Sequence, residues 1–153
     1  MVEIVRTDNE NPDFLTLVAE LDAELAIRDG DEHSFYAQFN KPQGLLGVVV
    51  AYLDDEPVGS GALKQFSGDE IEIKRMFVKP DRRGQRIAAK VLKELEAWAC
   101  ELGFSSFVLE TGYKQPEAIA LYKRSGYYVI PNYGQYADVA NSLCMRKQTL
   151  VSE

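Results

Sequence analysis

The chain has 153 residues, of which 46% are hydrophobic and 27% are charged, and its formal net charge is −7. This length and composition are typical of one globular domain with a hydrophobic core, so we expect a single domain over residues 1–153. The acidic balance argues against a general nucleic-acid-binding protein, because such proteins carry a basic face.

The sequence shows no pattern of a membrane, secreted, disulfide-bonded or metal-binding protein. No apolar run approaches the roughly 20 residues that span a bilayer, and the first ten residues lack the basic and apolar regions of a signal peptide. We therefore expect a cytoplasmic protein that binds no membrane. Cys100 and Cys144 are far apart and His33 is the only histidine, so no metal site is predicted and both thiols are expected to be buried.

Apolar spacing in the first half of the chain predicts a helix and a series of strands. Alternation at residues 2–6 predicts a strand, and the apolar positions from Phe14 to Ile27 follow helical spacing. Residues 32–40 are expected to add a short helical turn. Three consecutive strands are predicted at 44–53, 58–66 and 70–80, the first two forming a hairpin around 54–57.

The last of these strands has an irregular alternation. Its apolar positions slip by one residue near Arg75 and Met76. One extra residue in a strand is typical of a β-bulge, and bulges bend strands beside functional sites. We therefore predict a bulge at this position.

The second half of the chain predicts alternating helices and strands. Residues 84–102 carry one apolar face and predict a long helix, and residues 106–111 predict a buried strand. Pro116 is suited to the first turn of a short helix that ends before Ser125-Gly126, and two terminal strands follow at 127–130 and 142–146. This order predicts a mixed sheet covered by helices, in the α/β or α+β class.

The segment that joins the third strand to the long helix predicts an anion site. Successive backbone N–H groups and the positive end of a helix dipole suit a phosphate, and Gly84, Ala88 and Ala89 allow a ligand to approach closely. The segment contains neither GxxxxGK[ST] nor GxGxxG, which argues against nucleotide hydrolysis and dinucleotide redox chemistry.

Positive charge is concentrated around the same segment. Residues 74–93 contain eight basic residues and one acidic residue, in a chain that is otherwise acidic. Arg82, Arg83 and Arg86 supply donors suited to a pyrophosphate. A solvated basic helix face is the alternative interpretation.

Two sequence blocks resemble the GNAT superfamily of acetyl-CoA-dependent N-acetyltransferases. Residues 83–88, RGQRIA, are similar to the signature [RQ]-x-x-G-x-[GA], with Arg86 in place of the first family glycine. Residues 115–127, QPEAIALYKRSGY, are similar to N-x-x-A-x-x-L-Y-x-x-x-G-[FY], with Gln115 in place of the usual asparagine. A helical-turn residue with negative φ accommodates a Cβ, so we expect Arg86 to fit without strain.

The resemblance implies a fold and a cofactor site. The fold is a mixed, mostly antiparallel sheet of about seven strands, splayed between the fourth and fifth, with helices on both faces. The pantetheine arm of acetyl-CoA lies in the gap and pairs with backbone groups there, and no metal is needed. The cofactor-binding residues that it implies are Phe77, Val78, Arg83, Gly84, Gln85, Arg86, Ile87, Ala88, Ala89, Gln115 and Tyr122.

The resemblance also implies transfer of an acetyl group to a primary amine. Tyr122 matches the family tyrosine that protonates the leaving thiolate, although an aromatic in the helix core is the alternative, and the backbone N–H of Val78 is the implied oxyanion donor. Glu72 lies where several members carry a catalytic base. The alternatives for this role are a water chain, His33, or an outward-facing surface charge at Glu72, and Glu70 lies on the same strand face.

The acceptor pocket in this family is built by the first helical region and the loop between the last two strands. His33, Tyr36, Tyr133 and Tyr136 lie in these segments, and tyrosines among acids suit a cationic amine. A small molecule, an amino acid or a peptide is the expected acceptor. A CoA-binding sensor without turnover is the alternative function, and a homodimer is a further expectation because dimers are common in the family.

Overall fold

A computed structural model describes residues 2–29, 44–113 and 115–149 of the chain. The helical turn predicted at 32–40, with the acceptor candidates His33 and Tyr36, lies outside the described residues. None of the described helices is both long and apolar enough to span a membrane.

Within these ranges, seven strands form one mixed sheet in the order β1-β2-β3-β4-β5-β7-β6. Every pairing is antiparallel except that of β4 with β5, which is parallel. The predicted mixed, mostly antiparallel sheet is therefore confirmed. The strands are β1 (Val2–Thr7), β2 (Gly47–Leu53), β3 (Glu56–Ser67), β4 (Glu70–Val78), β5 (Ser106–Gly112), β6 (Tyr128–Ile130) and β7 (Ser142–Gln148).

Helices cover both faces of this sheet, as expected. Because side chains alternate along a strand, Val48 and Val50 of β2 face one side and Val49 faces the other. The first pair packs with Phe14 and Leu17, whereas Val49 belongs to the core cluster on the opposite face. The helices are α1 (Pro12–Asp29) on the first face, and α2 (Ile87–Glu101) and α3 (Pro116–Arg124) on the second.

The predicted bulge in β4 is confirmed. Ser60 pairs with Phe77 and Ala62 pairs with Lys74, so two residues of β4 oppose Gly61 alone. Arg75 is one of them and has a φ of 59°, in the left-handed region. A Cβ on Gly61 would lie 2.5 Å from Leu95 Cδ1, which explains why glycine stands opposite the bulge.

After Glu72, and before the bulge, β4 separates from β5. The two strands pair only between Glu70–Glu72 and Ser106–Val108, so the rest of β4 faces an open gap. The Lys79 N–H donates to the Val58 carbonyl at 2.9 Å, on the β3 side. Because successive residues alternate, the N–H and carbonyl of Val78 face the gap. The predicted splay between the fourth and fifth strands is confirmed.

Some sequence predictions differ from the structure. The long helix begins at Ile87 rather than Gly84, because Gly84 and Arg86 have φ values of 86° and 62° and the chain turns sharply there. The expected negative φ at Arg86 is therefore wrong. Cys144 is buried as expected, but Cys100 is exposed.

Candidate active site

A groove of about 660 Å³ lies between the loop that precedes α2 and helix α3. It brings together the two sequence blocks that resemble the GNAT signature, although they are about thirty residues apart in the chain. Gln85 is exposed on the loop and does not line the groove. The other predicted cofactor residues do line it, and they are Phe77, Val78, Arg83, Gly84, Arg86, Ile87, Ala88, Ala89, Gln115 and Tyr122.

Arg83 is already engaged at this groove. Its Nε donates to the Val78 carbonyl at 2.9 Å, and its Nη2 donates to Glu24 Oε1 of α1 at 2.8 Å. The guanidinium also lies 5.8 Å from the centre of the Phe77 ring. Arg83 thus joins α1 to the open edge of β4, and a phosphate that reaches it must share it with a carboxylate.

Arg86 has a different environment from its neighbours. It is exposed, and no ion pair joins it to a described residue. Arg82, by contrast, donates to Glu56 Oε1 at 3.0 Å. The side chain of Arg86 is thus available to an anion in the groove, since Arg86 lines it without a carboxylate partner among the described residues.

A second, smaller cavity of about 110 Å³ adjoins the groove. Tyr122 and Gln115 line both spaces. Glu72 and Glu110 line only the smaller one, which we call the acceptor cavity. Its other lining residues are Leu21, Leu25, Ile73, Lys74, Arg75, Met76, Thr111, Gly112, Ala118 and Tyr136.

Tyr122 lies at the junction of the two spaces. It is 6% exposed, and its ring packs edge-on against Tyr127 with centroids 5.8 Å apart. Burial, with a smaller contribution from the nearby Glu110 carboxylate, raises the pKa of Tyr122 well above its ordinary value near 10. The phenol therefore stays protonated at neutral pH, so it is available as a proton donor.

Glu72 is buried in the acceptor cavity. It is 5% exposed, and its Oε2 accepts a hydrogen bond from the Tyr133 hydroxyl at 2.9 Å. The interpretation of Glu72 as an outward-facing surface charge therefore does not hold. Glu70 has different partners. It accepts hydrogen bonds from Arg146 Nε at 2.7 Å and from Ser106 Oγ at 2.9 Å.

The two predicted acceptor-site tyrosines in the β6–β7 loop have distinct positions. Tyr136 lines the acceptor cavity directly and is buried. Tyr133 reaches the site through its hydrogen bond to Glu72, and its ring packs 4.7 Å from that of Phe66. Burial and the Glu72 carboxylate raise the pKa of Tyr133 far above its ordinary value, which keeps this hydroxyl a donor to Glu72.

Two buried cations of the acceptor cavity were not identified from the sequence. Lys74 and Arg75 lie on β4 at the bulge and are both buried. Arg75 Nη2 donates to Asp22 Oδ1 of α1 at 2.9 Å. Burial lowers the pKa of Lys74, whereas the Glu72 carboxylate opposes this shift. Two consecutive basic residues at the slip in the alternation of β4 are the sequence signal that indicates them.

The described residues contain no group of three or more histidine, cysteine, aspartate or glutamate side chains placed to hold a metal ion.

Comparison with known proteins gives the family. Residues 9–127 match the Acetyltransferase (GNAT) family. This chain belongs to the GNAT family of acetyltransferases. It is accordingly an acyltransferase, and the resemblance noted in its two sequence blocks is confirmed.

Individual GNAT proteins are similar to this chain over different shares of its length. An IAA acetyltransferase from Azospirillum brasilense is 38% identical over 100 residues, which cover 65% of this chain and 65% of that protein. An acyl-CoA N-acyltransferase structure from Klebsiella pneumoniae has a TM-score of 0.82 at 30% identity, covering 98% of this chain and 99% of that one. The PaiA N-acetyltransferase from Thermoplasma acidophilum, solved with coenzyme A, shares the GNAT fold with a TM-score of 0.69 at 20% identity, covering 97% and 99%.

Proposed function

We propose that this chain is a single N-acetyltransferase domain, over residues 1–153, that transfers the acetyl group of acetyl-CoA directly to a primary amine. The observation that carries the proposal is the position of Tyr122, which lines both the groove and the acceptor cavity. A proton donor at this junction is what transfer between a thioester and an amine requires.

The groove suits acetyl-CoA. The loop before α2 supplies backbone N–H groups at a helix N-terminus, where phosphates are bound favourably. The open edge of β4 offers the Val78 N–H, and the Val78 carbonyl in addition to its hydrogen bond from Arg83 Nε, to an extended amide-containing arm, in the manner of an added strand. The Thermoplasma protein, which shares this fold, was solved in complex with coenzyme A, and this supports a CoA compound as the ligand of the groove.

Glu72 is the group that we assign to amine deprotonation. An amine arrives protonated at neutral pH and must lose a proton before it attacks a carbonyl carbon. Glu72 lies in the acceptor cavity, and the hydrogen bond from Tyr133 orients its carboxylate. The proton passes to Glu72 directly or through one water molecule.

Tyr122 and Val78 are the groups that we assign to the departing sulfur and the developing oxyanion. The attacking nitrogen forms its bond to the carbonyl carbon, and the Val78 N–H donates to the carbonyl oxygen as negative charge develops on it. The Tyr122 phenol gives its proton to the thiolate as the carbon–sulfur bond breaks, and the proton that the nitrogen loses after its attack restores the phenol.

The experiment pairs Tyr122→Phe with a matched control. We expect Tyr122→Phe to lower kcat by about 10²- to 10⁴-fold, with little change in acetyl-CoA affinity, because the hydroxyl acts when the thiolate leaves. Tyr127 is also buried, but its hydroxyl donates to Glu96 at 2.8 Å. Tyr127→Phe should therefore keep kcat near the parent value.

The assay follows free thiol while acetyl-CoA is offered with a panel of amines. Equal kcat values for the parent and Tyr122→Phe would show that Tyr122 packs in the core and does not act as the proton donor. Acetyl-CoA binding by calorimetry with no thiol release from any amine would favour the sensor function instead.

A further inference from the structure

We propose that the amine acceptor carries a carboxylate, and that Arg75 at the β4 bulge binds it. This inference rests on the proposed acetyl transfer and adds the substrate class: an amino acid or a similar small zwitterion rather than a simple amine or an internal peptide lysine.

The first observation is an incompletely paired cation in the acceptor cavity. The side chain of Arg75 is 2% exposed and lines the cavity. Its Nη2 donates to Asp22, but its Nε is buried and has no hydrogen-bond partner among the described residues. A buried donor without an acceptor costs free energy. A ligand that brings an anionic oxygen to this guanidinium removes that cost.

The second observation is the backbone that holds this side chain. Arg75 adopts a φ of 59°, a conformation that a residue with a Cβ rarely takes. Strain of this kind persists where the surrounding structure enforces it, and it is concentrated at functional sites. The bulge places consecutive side chains of β4, Lys74 and Arg75, at the same cavity, which regular alternation prevents.

The third observation is the distribution of charge around the cavity. Glu72 and Glu110 are acidic, whereas Lys74 and Arg75 are basic. Two carboxylates suit an ammonium group, and two cations suit an anion of the same ligand. A carboxylate matches better than a phosphate, because a phosphate dianion would lie close to both acids in a space of about 110 Å³.

Asp22 does not block this role. It is 45% exposed, so water can solvate its carboxylate when a substrate carboxylate shares or replaces it on Arg75. The guanidinium has five N–H donors, and one ion pair leaves others for a second carboxylate.

The test compares acceptors that differ only at the carboxylate. Each set contains an amino acid, its carboxamide and the corresponding decarboxylated amine, with rates referred to the concentration of unprotonated amine. We expect kcat/KM to be about 10- to 100-fold higher for the amino acid, as for a charge-assisted hydrogen bond. An amine that carries a phosphate in place of the carboxylate is the fourth member.

Variants then test Arg75 itself. Arg75→Gln should remove the advantage of the amino acid, so that kcat/KM for the amino acid falls to the value for the decarboxylated amine in the same variant, and Arg75→Lys should restore part of the advantage. Asp22→Asn keeps the guanidinium but removes its carboxylate partner. If Arg75 binds the substrate, Asp22→Asn should retain the amino-acid preference. If Arg75 only ties α1 to β4, Asp22→Asn should resemble Arg75→Gln.

Product binding provides a readout that does not depend on turnover. N-acetyl amino acids should bind in the presence of CoA at least tenfold more tightly than their amides, by calorimetry on the parent protein. This comparison stands even where Arg75→Gln does not fold. Equal binding, or faster reaction of the decarboxylated or phosphate-bearing amines, overturns the carboxylate assignment while acetyl transfer itself stands. Absence of reaction with every amine overturns the proposed function instead.

Discussion

Glu70 and Glu72 are two residues apart on β4 and point to the same sheet face, yet they have different partners. Glu70 lies where β4 is still paired with β5, and it is held by Arg146 and Ser106. Glu72 lies at the last paired position, where the strands begin to separate, and it faces the acceptor cavity. A displacement of two residues along the strand therefore separates a structural ion pair from a candidate base.

This contrast gives a prediction about pH. Glu72→Gln keeps the acceptor of the Tyr133 hydrogen bond but removes the proton acceptor. We expect it to lose most of kcat/KM near pH 7 and to recover part of it above roughly pH 9, where unprotonated amine becomes more abundant.

The matched control is Glu70→Gln, which should keep the pH profile of the parent. The measurement is kcat/KM against pH from 6 to 10 for all three proteins. A Glu72→Gln profile parallel to that of the parent assigns deprotonation to water or to His33.

At the scale of elements, the segment before α2 carries the largest difference between prediction and structure. The sequence predicted a helix from Gly84, with Arg86 at negative φ, whereas the structure begins α2 at Ile87 and places Arg86 in the left-handed region. The apolar pattern of a helix does not contain this information, because the first turn of a helix and a loop with positive φ values can carry the same polar residues. Arg86 stands where the family signature has glycine, and a positive φ is the conformation that glycine adopts without a Cβ penalty.

Replacing Arg86 in this segment should change the free energy of unfolding and the affinity for acetyl-CoA in different directions. Arg86→Gly relieves a left-handed conformation that costs a residue with a Cβ about 1–2 kcal/mol, although part of the gain is offset by the greater entropy of glycine in the unfolded chain. We expect the free energy of unfolding to stay equal or to rise by up to about 1 kcal/mol. Acetyl-CoA binding should weaken about tenfold, because the groove loses a cation that has no carboxylate partner among the described residues.

Arg82→Gln is the control for Arg86→Gly. Arg82 also lines the groove but is paired with Glu56. Its replacement should therefore weaken acetyl-CoA binding by less than that of Arg86. Urea unfolding and calorimetry measure the two quantities, and unchanged acetyl-CoA affinity in Arg86→Gly shows that the phosphates bind without this side chain.

At the scale of the whole molecule, the basic segment between residues 74 and 93 is largely neutralised by acids that are distant in sequence. Arg75 pairs with Asp22, Arg83 with Glu24, and Arg82 with Glu56. Two of these acids lie on α1, two residues apart, so α1 is tied to the acceptor cavity and to the groove at once. The charge count of the sequence predicted a basic site, and the structure shows that most of its arginines already have carboxylate partners.

Buried tyrosines predict the response of the whole fold to alkali. Burial raises the pKa values of Tyr122, Tyr127, Tyr133 and Tyr136 well above 10. In the unfolded chain these phenols ionise near pH 10, whereas in the folded chain they keep their protons. The unfolded state then binds fewer protons, so these tyrosines leave the free energy of unfolding unchanged below about pH 10 and lower it as the pH rises above that value.

Each of these tyrosines contributes up to about 1.4 kcal/mol per pH unit to that fall. Burial also raises the pKa of Cys144 to about 11, so a smaller decline begins about one pH unit earlier. Urea unfolding between pH 8 and pH 11 measures the effect, and Tyr127→Phe should reduce the slope. A constant free energy of unfolding over this range contradicts the burial of these groups.

The sequence by itself determined the strand and helix order, the β4 bulge and the two blocks that resemble the GNAT signature, because these depend on periodicity and on residues close together in the chain. The apolar alternation of β4, with its slip at Arg75 and Met76, is such a local signal. Only the tertiary structure decided that Glu72 rather than Glu70 faces the acceptor cavity, and that Asp22 and Glu24 neutralise Arg75 and Arg83. Those outcomes depend on where β4 leaves β5 and on how α1 packs across the sheet, and both are set by contacts between residues that are remote in sequence.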